Sequence, residues 1–329
     1  MKRRTLGTQG LNVSALGLGC MGMTGAYGAS DEAEAIATVH EAIDLGIDFL
    51  DTAEFYGPYE NERLLGRAVR GRRDRTVIAT KFGFTVGVGG KPFGLDSRPQ
   101  HVKDVCDQSL LRLGIDHIDL FYQHRVDPNV PIEDVIGAMA ELRRAGKIRF
   151  LGLCEANSRT IERAHAIHPL SAVQSEYSLW ERQIERQVLP TCRKLGIGFV
   201  PYCPLGRGLL TGTIDTRTEW GLGDQRGNLY PRFQKENLER NLAYVAAVKE
   251  LAARKSCAPA QLALAWLLHQ WDCIVPIPGT KRRKYLRENA QAAEVRIEAA
   301  DLAWLNERIP PNAVGDRYSA AVMATLDQT

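Results

Sequence analysis

Eight short apolar runs, each closing on polar, small or turn-forming residues and separated by longer segments with helical spacing, constrain this chain more than any other feature. They are ALGLGC (15–20), FLDTAE (49–54), TVIATKF (76–82), IDLFYQH (118–124), FLGLCE (150–155), AVQSEYS (172–178), GFVPYCP (198–204) and IVPIPG (274–279). Continuous apolarity without alternation marks parallel strands covered on both faces. The segments between them carry helix signals. Ser30 is placed to cap a helix with Asp31 and Glu32 in its first turn, Ile36, Val39 and Ile43 along one face, and Gly46 at its end. Pro131 suits a first helical position, followed by Ile132, Val135, Met139 and Leu142 on one face until Gly146.

Eight strands alternating with helices predict one α/β domain over 1–329, a closed (β/α)8 TIM barrel, more simply than an open doubly wound sheet. Residues 3–14 read as a hairpin placed to close the barrel bottom. The stretch 205–235, rich in Gly, Thr and Arg, reads as a long binding loop after the seventh strand.

Charge and cysteine content narrow the partners. A net charge of +3 over 36.5 kDa is too diffuse to argue for nucleic acid or an anionic membrane. Seven cysteines without a CxxC pair fit a reducing compartment, so a cytoplasmic protein is expected. The basic start before LGLGC resembles a lipoprotein signal, but Thr8, Gln9, Asn12 and Ser14 interrupt the apolar region such a signal needs. His165 and His168 form an HxxH without a matching carboxylate or cysteine set, so they read as surface residues and no metal is expected. Trp266 and Trp271 read as core.

In a barrel of this kind the chemistry sits at the C-terminal strand ends. Asp51 follows the apolar FL of the second run, Lys81 follows TVIAT in the third and His124 ends the fourth, and Tyr56 lies five residues past Asp51. Each alone has a structural explanation, as a loop cap, a solvated ammonium or a satisfied core imidazole. Together they compose a proton donor: a nearby ammonium lowers the pKa of a phenol, a carboxylate holds that ammonium, and an imidazole orients the substrate oxygen. Lys81 also admits a second chemistry, Schiff-base formation as in class I aldolases.

The motifs DTAEFYGP (51–58), ATKFG (79–83), DLFYQH (119–124), AVQSEYS (172–178), PYCPLGRGLLTG (201–212) and IPGTKRRKYLREN (277–289), in this order, resemble the aldo-keto reductase superfamily from first strand to last helix. The resemblance implies that Asp51, Tyr56, Lys81 and His124 are the catalytic tetrad of an NADPH-dependent enzyme acting on a small-molecule carbonyl substrate. It also implies that Gln174, with Cys154 and Glu155, meets the nicotinamide carboxamide, and that Tyr202 stacks on the nicotinamide. Cys203, Leu205, Gly206 and Arg207 would contact pyrophosphate, with Met21, Gly22 and Asp51 nearby. Gly279, Thr280, Lys281, Arg282, Tyr285, Glu288 and Asn289 would hold the adenosine end, the basic cluster 281–284 gripping a 2′-phosphate at a helix start. Two positions depart from the family pattern: Cys154 replaces a common serine, and Tyr285 a common arginine. Met23, Phe55, Phe82, Arg125 and Trp220 are the expected pocket wall. The same fold also serves cofactor-sensing interaction proteins, which leaves a non-enzymatic role as an alternative.

Overall fold

The computed structural model describes residues 1–87 and 92–327. A two-stranded hairpin, β1 (Arg3–Leu6) and β2 (Leu11–Ser14), opens the chain. The parallel strands follow: β3 (Leu18–Gly19), β4 (Phe49–Asp51), β5 (Val77–Phe82), β8 (Ile118–Gln123), β9 (Ile148–Cys154), β10 (Ala172–Glu176) and β11 (Gly198–Tyr202), hydrogen-bonded in that order. A second hairpin, β6 (Phe84–Val86) with β7 (Pro92–Leu95), interrupts the alternation after β5. The glycines Gly87, Gly89 and Gly90 between the two strands are a turn signal in the sequence.

The eighth apolar run, 274–279, does not form a regular strand, although it lies between β11 and β3 and closes the ring. Val275 and Ile277 donate to Phe199 and Pro201, while Gly17 and Gly19 donate to Pro276 and Pro278. Proline has no N–H, so Pro276 and Pro278 return nothing to the first strand, and half of that ladder is missing. The result is a (β/α)8 barrel with one half-bonded seam.

The covering helices are α1 (Glu32–Asp44), α2 (Glu60–Val69), α3 (Pro99–Leu113), α4 (Ile132–Arg144), α5 (Ser158–Ile167) and α6 (Val188–Leu195). Past β11 come α7 (Arg226–Leu229), α8 (Lys235–Arg254), α9 (Pro259–Leu268), α10 (Arg283–Ala290), α11 (Ala299–Arg308) and α12 (Ala320–Met323). None of the described helices is long and apolar enough to cross a membrane. The glycines of GLGCMG at 17–22 match the spacing of a dinucleotide turn, yet Gly22 sits in a 3-10 turn, Met21–Thr24, and no α-helix starts there.

Three local expectations shift. Asp31, and not Ser30, caps α1: its carboxylate accepts from the Glu34 N–H at 2.7 Å, while the Ser30 hydroxyl donates to the Met23 carbonyl. Replacing Asp31 with alanine is therefore expected to lower stability by about 1 kcal/mol, read as a lower urea midpoint, with Ser30→Ala leaving the cap intact. Pro131 is the residue before α4 and not its first. Trp266 is core, but Trp271 is only half-buried under the Arg193 guanidinium.

Strand alternation sorts the core into two parts. Phe49, Ala79, Leu120, Tyr122, Cys154, Ala172 and Val200 point into the barrel, where Leu6, Leu11 and Val13 of the first hairpin plug the bottom. The intervening residues, such as Leu50, Ile78, Phe82, Phe121 and Leu153, pack outward against the helices. Gly152 is required here: a Cβ would stand 2.4 Å from the Tyr122 ring.

Candidate active site

The inward parity of the strands carries Asp51, Lys81 and Gln174 to the C-terminal mouth, where Tyr56, in the turn after β4, and His124, one residue past β8, join them. The Lys81 ammonium, fully buried, donates to the Asp51 carboxylate at 2.5 Å, to the Thr52 carbonyl at 2.8 Å and to the Tyr56 oxygen at 3.2 Å. Gln174 donates to the other Asp51 oxygen at 2.8 Å. The Tyr56 ring meets His124 edge-on, centroids 5.8 Å apart. Because the Tyr56 oxygen accepts from Lys81, its own O–H is left to point elsewhere.

The electrostatics differ from the sequence expectation in one respect. Burial raises the Tyr56 phenol above its ordinary value, and this outweighs the opposing pull of Lys81. The phenol holds its proton through the neutral range. Burial works against the Lys81 charge, but Asp51 and Tyr56 overcome it and lift its pKa above that of a free lysine. A Schiff-base nucleophile needs a neutral amine, so this geometry speaks against the aldolase-type chemistry. Burial, then Arg125 and Lys81, holds the His124 imidazole well below its usual range, so it is neutral. Its buried Nδ1 has no partner among the described residues.

Around the tetrad the expected residues divide. Phe55 stacks on Phe84 at 4.9 Å, Phe84 meets His124 edge-on at 4.8 Å, and Arg125 lies over Phe84 at 5.7 Å, all at the mouth. Phe82 and Met23 belong to the outer core and face away from the mouth; one residue along a strand reverses the face, so Phe82 cannot share the side of Lys81. Trp220 packs on Phe233 and Arg226 of the 205–235 loop and makes no ring contact or hydrogen bond with the tetrad among the described residues.

On the expected cofactor side, Cys154 points into the barrel and Tyr202 is half-buried, its hydroxyl 2.8 Å from that of Tyr318. Two expected contacts are otherwise engaged. The Glu155 carboxylate is held by both nitrogens of Arg317 at 3.0 and 2.9 Å. The Arg207 guanidinium forms a buried two-pronged pair with Glu176, both bonds 2.9 Å, with Tyr230 and Tyr318 against it. Only its backbone is left for a phosphate. That backbone is unusual: Cys203, Gly206, Arg207 and Gly208 all have positive φ, which turns successive peptide groups into a compact bend. Leu205 is half-buried within this bend, and Met21 and Gly22, also half-buried, open the 3-10 turn that follows β3.

At the adenosine end, Gly279 and Thr280 precede α10, which begins at Arg283, so Lys281 and Arg282 lie before the helix and not in it. Lys281 is spent on the carbonyls of Tyr27, Gly28 and Ala29, and Arg283 on Glu34. Arg282 is exposed, with no side-chain partner among the described residues. Tyr285 is 42% exposed, and Glu288 is half-buried with its carbonyl accepting from Gln261. Asn289 is 4% exposed, and its amide makes no hydrogen bond among the described residues. An almost buried amide without a partner, an uncommitted guanidinium and a tight backbone bend suit the adenine, phosphate and pyrophosphate of a dinucleotide.

Sequence reasoning missed Phe84, Glu176, Arg232, Arg317 and Tyr318. The last two arrive on the segment after α11, held by the bonds Arg182 N–H to Pro311, Ala313 N–H to Trp180 and Val314 N–H to Asn241. The signal for them was weak, a charged and aromatic GDRYS beyond the last apolar helix.

Residues 15–309 match the family model described as the aldo/keto reductase family. The chain is 45% identical over 319 residues, 95% of its own length and 90% of the relative's, to a probable aldo-keto reductase of Glycine max. Among solved structures it resembles a glycerol dehydrogenase of Gluconobacter oxydans, with a TM-score of 0.85, 28% identity, and 97% and 99% of the two chains covered. It also resembles an aldo-keto reductase of Bacillus halodurans in its holo form, with a TM-score of 0.77, 27% identity and the same coverage.

Proposed function

Because the chain belongs to the aldo/keto reductase family, we propose that it reduces an aldehyde or ketone to the alcohol with hydride from NADPH, Tyr56 delivering the proton. The observation that carries this reading is the Tyr56 hydroxyl set 3.2 Å from a buried ammonium and beside a neutral imidazole with an unpaired nitrogen. The reduced nicotinamide supplies the hydride when bound. Tyr202 would stack on it, Gln174 and Cys154 would hold its carboxamide, and the backbone amides of the 203–208 bend would hold its pyrophosphate.

The protein's own groups then divide the work. His124, neutral, donates to the carbonyl oxygen and orients it; Tyr56 gives its proton as negative charge develops there. Lys81 stabilises the phenolate left behind, and Asp51 fixes Lys81. Loss of reduced-nicotinamide absorbance with an aldehyde panel tests the reading directly. A folded protein that bound the nucleotide yet reduced nothing on a broad panel would favour the sensor role.

The preference for NADPH rests on Arg282, which makes no side-chain hydrogen bond or ion pair among the described residues and, unlike Lys284, lies before α10 beside Lys281. Arg282→Ala is expected to weaken NADPH binding by about tenfold, the low end for a hydrogen bond to a charged group, while NADH affinity stays where it was. Fluorescence titration of the two nucleotides measures both, and an equal loss for each would remove the 2′-phosphate assignment.

A further inference from the structure

Three arginines are nearly buried among the described residues, Arg125, Arg207 and Arg232. Arg207 pairs with Glu176, and Arg232 with Glu176 and Glu181. Arg125, 6% exposed, has no ion-pair partner among the described residues. Its Nη1 donates to the His124 carbonyl at 2.8 Å, its Nε is buried without an acceptor, and the face of its guanidinium rests against Phe84. Glu155, whose charge is felt at Arg125, is already gripped by Arg317 through both oxygens.

A guanidinium withdrawn from water without a counterion is strongly unfavourable. Folding alone gives no reason to keep one here, since the two neighbouring arginines were each supplied with a carboxylate. The missing charge has to come from what enters the mouth. Arg125 follows His124 in the chain, so an anion on its fork sits a few bonds from a carbonyl oxygen on the imidazole, and Phe55 and Phe84 give the carbons between them an apolar wall.

We propose that Arg125 is the docking point for an acid group, a carboxylate or a phosphate, on the carbonyl substrate, so that the preferred substrates are short aldehydes or ketones bearing an anion. This rests on the reductase reading. The guanidinium fork takes both oxygens of such a group in one plane, which an ammonium cannot do.

The test compares kcat/KM for matched pairs, succinic semialdehyde against butanal and glyceraldehyde phosphate against glyceraldehyde, in the wild type, Arg125→Met and Arg125→Lys. The wild type is expected to favour the anionic member of one pair by about ten- to a hundredfold, the range of a hydrogen bond to a charged group; the pair that shows it tells carboxylate from phosphate. In Arg125→Met the preference disappears, chiefly through KM, and Arg125→Lys falls between. Thermal unfolding of both variants establishes that they fold. No preference in the wild type, or an Arg125→Met loss shared equally by charged and neutral substrates, overturns the proposal while leaving the reductase reading in place. Calorimetric titration with succinate and with inorganic phosphate gives a readout free of turnover. Binding of either in the wild type that Arg125→Met abolishes supports the anion site even where no aldehyde is reduced, an outcome that would remove the reductase reading alone.

Discussion

Tyr56→Phe is expected to lower kcat and kcat/KM for carbonyl reduction together, by about two to four orders of magnitude, the range contributed by a positioned general acid. The substitution deletes one oxygen from a packed site and leaves the Lys81–Asp51 pair and the Gln174 bond intact, so nucleotide binding should stay as it was. The equal fall in both constants matters, because it reports a group used only as the transition state forms. Its proton cannot easily be replaced. His124 is neutral and, in the proposed reaction, already spends its N–H on the substrate oxygen, and Lys81 is enclosed by Asp51, Thr52 and Tyr56. Steady-state rates with a good aldehyde, beside a nucleotide titration by protein fluorescence, decide it; retention of activity within a few-fold would take the acid role from Tyr56.

The second large effect concerns stability. Glu176 receives Arg207 at 2.9 Å through each oxygen and Arg232 at 3.2 Å, and Arg232 also reaches Glu181. Glu176→Gln keeps the shape and removes the charge that holds two buried guanidiniums, so a loss of about 3–5 kcal/mol is expected, as for a broken buried pair. The readout is a lower urea midpoint at unchanged slope. Burial pushes the Glu176 carboxyl up, but Arg207, Arg232 and Arg317 hold it below the usual carboxylate range. A depressed carboxylate adds stability that is present above its unfolded pKa and lost as pH falls through the folded one. Wild type should therefore lose stability on acidification more steeply than the glutamine variant. An unchanged midpoint would mean that the cluster contributes little to folding.

Much of this was legible in the chain because barrels write themselves as apolar runs whose last residues reach the mouth. Asp51, Lys81 and His124 could be picked out at strand ends, and strand parity then brings them to one side. The same parity rule, applied to VIATKF, places Phe82 opposite Lys81, so this error was avoidable from sequence. Other misses were not. Whether Arg207 faces a phosphate or Glu176 depends on a left-handed bend in which Cys203 and Arg207, residue types that rarely take positive φ, adopt it beside Gly206 and Gly208. Arg317 and Tyr318 reach the mouth through tertiary bonds of an irregular segment with neither period. Asp31 and Ser30 are both good caps in adjacent positions, and only the bond of Ser30 to the Met23 carbonyl decides between them.

The half-bonded seam at Pro276 and Pro278 makes the barrel mechanically uneven. A ring with one compliant joint yields there before it yields elsewhere, and that joint borders β3, whose other neighbour, β4, carries Asp51, while β5 and β8, with Lys81 and the approach to His124, lie further round the ring. The segment leaving the joint is the one that leads to Thr280, Arg282 and Asn289. Amide exchange should accordingly be fastest, among the barrel staves, at Gly17 and Gly19, while the stave amides around Lys81 remain protected. Give at that joint reaches the strand of Asp51 first, and Lys81 only through its pair with Asp51.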